Sequence, residues 1–178
     1  MTDELLRRLL TTKTETRNLD YKQAFNWSSS TNDQKCEIVK DILAMLNTQD
    51  GGRIVIGVAD ADHAPIGVDQ QSFESFDTTK VNDFLRKYTD PPCSCTVYKH
   101  EIDGCRIVTI DVAEFKEVPV LCKTNASSPS KHILKQSGLY IRTDKATSEL
   151  VSTSEEMREL LGRALLKKAI NCFTRLRP

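Results

Sequence analysis

Residues 44–60 read Ala-Met-Leu-Asn-Thr-Gln-Asp-Gly-Gly-Arg-Ile-Val-Ile-Gly-Val-Ala-Asp. The hydrophobic period changes inside this stretch. Just before and into it, Ile38, Val39, Ile42, Leu43 and Leu46 recur at helical spacing and share one face, which predicts a helix over 33–46. Asn47-Thr48-Gln49-Asp50-Gly51-Gly52 is a turn signal, and a tight helix-to-strand turn needs the positive φ that glycine allows. Residues 53–58 then run almost wholly apolar, the mark of a central strand covered on both faces. A helix turning straight into such a strand implies a sheet with helices laid on it.

On the N-terminal side, 3–10 reads as a short amphipathic helix capped by Thr2, with Leu5, Leu6, Leu9 and Leu10 as its stripe. Leu19 and Tyr21 alternate with Asp20 and Lys22, so a strand with one apolar and one polar face is predicted. Residues 27–32 are a Ser-rich loop. On the C-terminal side, Thr78 or Thr79 caps a helix through Tyr88, stopped by Pro91-Pro92. Residues 96–102 and 106–112 flank Asp103-Gly104, a favoured hairpin turn. Further strands are expected at 117–121 and 139–142, with a mobile loop over 123–132 between them. Thr153-Ser154-Glu155-Glu156 is a capping box. It opens a helix whose core side is Met157, Leu160, Leu161, Ala164, Leu165 and Ile170. No internal repeat is present. Hairpins mixed with scattered helices place the chain in the α+β class, as one mixed, mainly antiparallel sheet flanked by helices. All of 1–178 is read as a single domain, with its core over about 10–165 and a basic helix end at 166–178.

Lys and Arg number 25 and Asp and Glu 25, so the formal net charge is zero. A generic polycation is excluded, and any nucleic acid must meet a local patch. At 39% hydrophobic and 28% charged, the chain is neither disordered nor of low complexity. No apolar run is long enough to span a bilayer, and the start Met1-Thr2-Asp3-Glu4 has no secretory character. No membrane partner and a cytoplasmic or nuclear location are therefore expected. Cysteines 36, 93, 95, 105, 122 and 172 are read as reduced thiols. The spacing of Cys93, Cys95, His100, Cys105 and Cys122 is poor for structural zinc, so zinc is not expected.

Two groups of residues are candidates for chemistry. In the first, Asp20 and Lys22 project to one side of a strand, with Glu15 just before them. Asp60, with Asp62 as its rival, follows the central strand. Two or three such carboxylates beside a lysine can bind Mg²⁺ or Mn²⁺, which activates water and neutralises phosphodiester charge. The plainer alternative is solvated surface acids, with Asp20 and Lys22 a simple pair, and spacing alone favours it. No phosphate-loop pattern exists at Gly51-Gly52, and no catalytic triad can be drawn with His63, His100 or His132. The second group is basic. Arg163, Lys167, Lys168, Arg175 and Arg177 occupy 160–178 without one acid, while Arg7, Arg8, Lys13 and Arg17 lie near the N-terminus. Lys123, Lys131, Lys135, Arg142 and Lys145 lie between them in sequence. Such residues suit phosphate contacts, or plain solvation and a helix dipole.

The order of these motifs resembles the Schlafen-type AlbA domain, a nucleic-acid-binding module of Schlafen, Schlafen-like and many prokaryotic proteins. Glu15-Thr-Arg-Asn-Leu-Asp20-Tyr21-Lys22 is similar to the family's acid-rich segment ending in acid-aromatic-lysine. Residues 44–60, continued by Pro65-Ile66-Gly67, are similar to its passage from helix through Asn-Thr and Gly-Gly to a strand and Gly-Val-x-Asp. Gly138-Leu-Tyr140-Ile-Arg142 and the segment to Leu161 are similar to its Gly-x-Tyr-x-Arg and closing helix. The resemblance implies a divalent-metal-dependent endoribonuclease acting on structured RNA such as tRNA. Its three acids fall on Glu15, Asp20 and Asp60, which hold Mg²⁺ or Mn²⁺, and its lysine falls on Lys22, beside the scissile phosphate. Asp20 stands where the family usually has Glu. On this reading Arg17, Arg142, Lys145, Arg163, Lys167 and Lys168 grip the nucleic-acid backbone. Larger Schlafen cores set two related lobes side by side around RNA, so this one lobe is expected to form a homodimer or a heterodimer with a related lobe. The second class of function is an RNA- or DNA-binding or dimerisation module of the same fold, without chemistry.

Overall fold

The structure, a computed structural model, describes residues 2–175. Helix α1 (Asp3–Thr12) starts at Thr2, whose side chain accepts the Leu5 N–H. Strand β1 (Leu19–Lys22) leads through a turn to α2 (Asn32–Leu46), which opens on a capping box of Thr31 and Gln34. Then comes β2 (Gly52–Ile56), parallel to β1, with Leu19 opposite Arg53 and Lys22 opposite Ile56. Helix α2 is thus the crossover of a βαβ unit. Two short helices follow, α3 (Gln70–Ser75) and α4 (Thr78–Leu85), then β3 (Thr89–Asp90). The hairpin of β4 (Thr96–Ile102) and β5 (Cys105–Val112) turns at Asp103 and Gly104, both at positive φ. The rest is β6 (Leu121–Cys122), β7 (Ala126–Ser127), β8 (His132–Leu134), β9 (Tyr140–Arg142), β10 (Ser148–Leu150) and α5 (Ser154–Arg175).

The main sheet runs β1-β2-β5-β4, with one parallel and two antiparallel pairs, as the α+β reading expects. Three two-stranded ribbons, β3-β6, β7-β8 and β9-β10, surround it. Period-two alternation sorts the sheet's side chains between two cores. Ile54, Ile56, Val108, Ile110 and Val112 meet the apolar face of α2 in the larger core, closed by Trp27, Phe76, Leu85 and Leu160. Leu19, Tyr21, Val55, Val58, Ile102 and Ile107 cluster with Leu6 of α1 on the other face. Between α2 and β2, Asn47 is fully buried. Its Nδ2 donates to the carbonyls of Val120 (2.8 Å) and Tyr140 (3.0 Å), and its Oδ1 accepts the Val120 N–H. The Asn-Thr that ends the helix thereby fixes the approach of β9.

Several expectations are corrected. The cap of α4 is Asp77, whose carboxylate accepts the Lys80 N–H at 3.0 Å, and the helix ends at Leu85. The strand expected over 117–121 shrinks to β6, and the loop over 123–132 contains the bulged β7-β8 hairpin. Helix α3 carries too few residues for a periodic signal. The capping box at Thr153 and Glu156 is present, but the core side of α5 ends early. Leu160 is buried and Ala164 packs on the core, whereas Leu161, Leu165 and Ile170 are exposed. Arg163 and Lys167 occupy the inward side instead, on Glu114 and over the Phe115 ring. Among the described residues, no helix is long and apolar enough to cross a membrane.

Gly51 has φ 70°, and a Cβ there would lie 2.1 Å from the Val112 carbonyl oxygen, a backbone atom that cannot move aside. Gly104 has φ 78° with nothing within 4 Å. Urea unfolding should therefore separate the two: Gly51→Ala is expected to cost about 3 kcal/mol or more and Gly104→Ala about 1 kcal/mol.

Candidate functional site

Strand β1 is buried on both faces. Leu19 and Tyr21 turn toward α1, and the polar pair Asp20 and Lys22 turns toward α2 and β9 rather than toward water. What covers them is Arg142, 1% exposed. Its Nη1 donates to Asp20 Oδ1 (3.0 Å) and to the Ser148 hydroxyl (3.3 Å), and its Nη2 donates to the carbonyls of Thr16 and Leu19 (3.4 Å each). Lys22 joins Asp20 to Asp41 of α2, with its ammonium 3.1 Å from Asp41 Oδ2. The Ser148 hydroxyl closes the ring by donating to Asp41 Oδ1 at 2.6 Å. Two acids and two bases thus neutralise one another inside the fold. Burial, followed by the like charge of Asp41, pushes the Asp20 carboxyl up to about 6, against the pull of Lys22 and Arg142. Burial alone would lower Lys22, but Asp41 and Asp20 outweigh it and hold the ammonium above its usual range.

The other expected acids lie apart from this group. Glu15 Oε1 accepts the Tyr21 N–H (2.9 Å), closing a donor on the outer edge of the sheet. Asp60 is exposed beyond β2 and accepts from Gln23 Nε2 at 2.8 Å. Its rival Asp62 accepts the Ala64 N–H in a local turn. Among the described residues, no three His, Cys, Asp or Glu side chains converge closely enough to hold a metal ion. With Asp20 committed to Arg142 and Lys22, the three acids do not fit a divalent-metal site in this arrangement. Sequence reasoning missed Asp41 and Ser148. The signal for Asp41 was an acid placed three residues after Ile38 and beside Ile42, inside the apolar stripe of α2.

The basic residues are redistributed too. Arg142 is an internal counter-ion, so it is not available to grip a phosphate. Arg163 donates to the Asn47 carbonyl and pairs with Glu114, and Lys167 sits 3.1 Å from Glu114. Both cations hold Glu114 below its usual range despite burial, so they fasten α5 to the domain. Arg17 donates to the Arg142 carbonyl and lies 3.6 Å from Asp144. Lys145 and Lys168 are exposed. The side chain of Arg175 and all of Arg177 lie outside the described residues.

A different lysine face stands at the start of α2. Lys35 is 5.8 Å from the Trp27 ring centroid and 5.9 Å from that of Phe84, and Lys87 is 5.4 Å from Phe84. Phe84 packs in turn on Tyr88, with ring centroids 5.3 Å apart. The Lys123 N–H donates to the Tyr88 carbonyl and the Thr124 hydroxyl to that of Lys87, which brings Lys123 alongside. Lys40 and Lys131 both reach Glu37 on α2. Among the described residues, Lys35, Lys87 and Lys123 have no carboxylate partner. The face carries net positive charge beside half-buried aromatic rings.

The family model described as Schlafen, AlbA_2 matches residues 15–151. The chain belongs to the Schlafen AlbA_2 family. The match spans β1, α2, the main sheet and β9-β10, so both the ion-paired quartet and the lysine face lie within the Schlafen AlbA_2 domain. Among solved structures, the DIP2311 protein from Corynebacterium diphtheriae is similar in fold, with TM-score 0.56 and 16% identity. That likeness covers 85% of this chain and 26% of that one, so the chain spans about a quarter of the larger protein. The N-terminal domain of a RecG-related protein from Nitrosomonas europaea aligns with TM-score 0.46 and 18% identity, over 70% of this chain and 81% of that one. No curated protein matches the chain.

Two measurements test the quartet. Arg142→Met strands Asp20 and Asp41 with one cation and should cost about 3–5 kcal/mol in urea unfolding, against less than about 0.5 kcal/mol for Asp60→Asn. The folded Asp20 carboxyl keeps its proton up to about pH 6, above the ordinary carboxylate range of the unfolded chain. Its contribution to stability is therefore present at low pH and lost as pH rises through about 6. Stability of Asp20→Asn should accordingly fall less than that of the wild type between about pH 4 and 6.

Proposed function

We propose that this Schlafen AlbA_2 domain binds nucleic acid, RNA in the first place, through the lysine face at the start of α2. The observation that carries the reading is the trio Lys35, Lys87 and Lys123, without carboxylate partners and set beside the Phe84 and Tyr88 rings. A phosphate backbone supplies the missing counter-charges, and the half-buried Phe84 and Tyr88 rings stand beside it for contact to bases. Membership of the family supports a nucleic-acid partner. The finer reading, a metal-dependent endoribonuclease on structured RNA such as tRNA, calls on Glu15, Asp20, Asp60 and Lys22 with Mg²⁺ or Mn²⁺. It requires Asp20 to leave two cations, one of them buried, so the geometry supports binding without cleavage better. The reading also includes pairing with a second lobe, identical or related.

Fluorescence anisotropy with a labelled single-stranded RNA and a tRNA pool tests this. Binding should weaken with salt, and Lys35→Glu with Lys87→Glu should lower affinity about tenfold or more and flatten the salt slope by about 1.4. Arg7→Glu, on α1 across the sheet, should change neither. RNA should stay intact with Mn²⁺. Binding that ignores both salt and the double reversal overturns the proposal, and cleavage that disappears in Glu15→Ala establishes the enzyme instead.

A further inference from the structure

The main sheet ends on β1 at one side and on β4 at the other. The outward N–H groups of β1 are closed by its own chain, Leu19 on the Thr16 carbonyl and Tyr21 on Glu15. Strand β4 is closed only in part. Along an antiparallel pair, alternate residues turn their N–H and C=O toward the neighbour and away from it. The tight Asp103-Gly104 turn makes Ile102 and Cys105 exchange hydrogen bonds, so Tyr98, His100 and Ile102 face β5 while Val97, Lys99 and Glu101 face outward. Val97 is sealed by the Thr78 hydroxyl, which accepts its N–H (3.1 Å) and donates to its carbonyl (3.4 Å). Among the described residues, nothing takes the backbone groups of Lys99 or Glu101. We infer that this open edge pairs with the same edge of a second copy of the chain, antiparallel and centred on His100. The inference rests on the pairing of lobes proposed above and supplies its surface.

Charge selects the occupant and the register. Lys99 and Glu101 are exposed and stand on one face of β4. Pairing centred on His100 sets Lys99 opposite Glu101 of the partner subunit and Glu101 opposite the partner's Lys99, and the free backbone groups of these residues exchange hydrogen bonds. Centring on Lys99 or on Glu101 sets like charges face to face, and a parallel in-register pair does so at both. Charges on an edge discourage indiscriminate strand addition, and here their order leaves one self-complementary register open. The chain's own edge carries that order, so a second copy fits it without a foreign strand. Glu101 meets Arg106 of β5 through one oxygen (3.2 Å), which leaves Oε2 for a second cation. Lys99 reaches the Glu74 carbonyl (3.4 Å) and the Phe73 ring and, among the described residues, has no carboxylate partner. Alternating charge then runs across three strands, from Arg106 to Glu101 to Lys99 of the partner subunit. The His100 ring stays where it is, held inward by Asp3 and Thr109. So short a contact belongs to the transient class, and a dissociation constant above about 10 µM is expected.

Sedimentation velocity of the full chain, run from about 10 µM to about 500 µM, should show a monomer–dimer equilibrium. Lys99→Glu alone and Glu101→Lys alone should each weaken it about tenfold or more, because each sets like charges opposite at both symmetry-related positions. The double swap, Lys99→Glu with Glu101→Lys, should restore it to within about threefold of the wild type. Urea midpoints of all three variants should stay near that of the wild type, since both side chains are exposed in the monomer. In a mixture of isotope-labelled and unlabelled wild-type chains, a carbodiimide should join Lys99 of one copy to Glu101 of the other, read as a cross-linked peptide of mixed isotope content. A dimer that the single reversals leave untouched, or that the swap fails to restore, overturns this edge while the pairing of lobes survives. A strict monomer up to the highest concentration overturns both. The loss of RNA binding in Lys35→Glu with Lys87→Glu tests the lysine face separately, whichever result the edge gives.

Discussion

A guanidinium does not give up its charge, so burying Arg142 obliges the fold to bring acceptors to it from every side. They come from far apart in sequence: Asp20 on β1, the Thr16 and Leu19 carbonyls around the turn before it, and Ser148 on β10. Asp41, on the crossover helix, completes the set through Ser148 and Lys22. A buried pair of this kind adds little net stability over apolar packing, but breaking it is costly, so it acts chiefly as a register device. With Arg142 in place, β9 lies against the end of α2, β1 must present its polar face inward, and Lys22 is drawn between two carboxylates. The same ion pair removes Asp20 from the acids free to bind a metal and Arg142 from the cations free to bind a phosphate.

The stretch at 44–60 carried the fold because its signals are local. The period of α2, the glycines at the turn and the apolar run of β2 each depend on neighbours in sequence, and the structure returns them within two residues. The Asp103-Gly104 hairpin and the capping box at Thr153 were legible for the same reason. What was hidden depends on partners far away in sequence, from 49 residues for Arg163 and Glu114 to 122 for Arg142 and Asp20. The alternation of Leu19, Asp20, Tyr21 and Lys22 reads as a half-exposed strand, because nothing within that segment announces that Arg142 will cover its polar side. Likewise the leucines of α5 have helical spacing, but which of them face the core is decided by Glu114 and Phe115, in a loop some fifty residues earlier.

The candidate site shows the same division. Residue types and order were sufficient to place the chain in its family and to name Glu15, Asp20 and Asp60 as candidate acids. Their geometry was not, since a carboxylate's availability depends on which cation reaches it first. Asp41 offers the general lesson. An acid inside an apolar helical stripe has to be matched by a buried cation, and Lys22 and Arg142 are both within 4 Å of it.

A formal charge of zero therefore describes this protein poorly. Many of the described cations are spent. Arg142 and Lys22 neutralise Asp20 and Asp41, Arg163 and Lys167 anchor α5 on Glu114, and Lys40 and Lys131 share Glu37. Counting bases along 160–178 pointed to that helix as the nucleic-acid grip, but a cation already holding a carboxylate gains little from a phosphate, because it must give up one partner to take the other. Lys35, Lys87 and Lys123 are few, yet each can accept a phosphate without surrendering a carboxylate. The partners still missing, more than the charges present, mark where another molecule belongs.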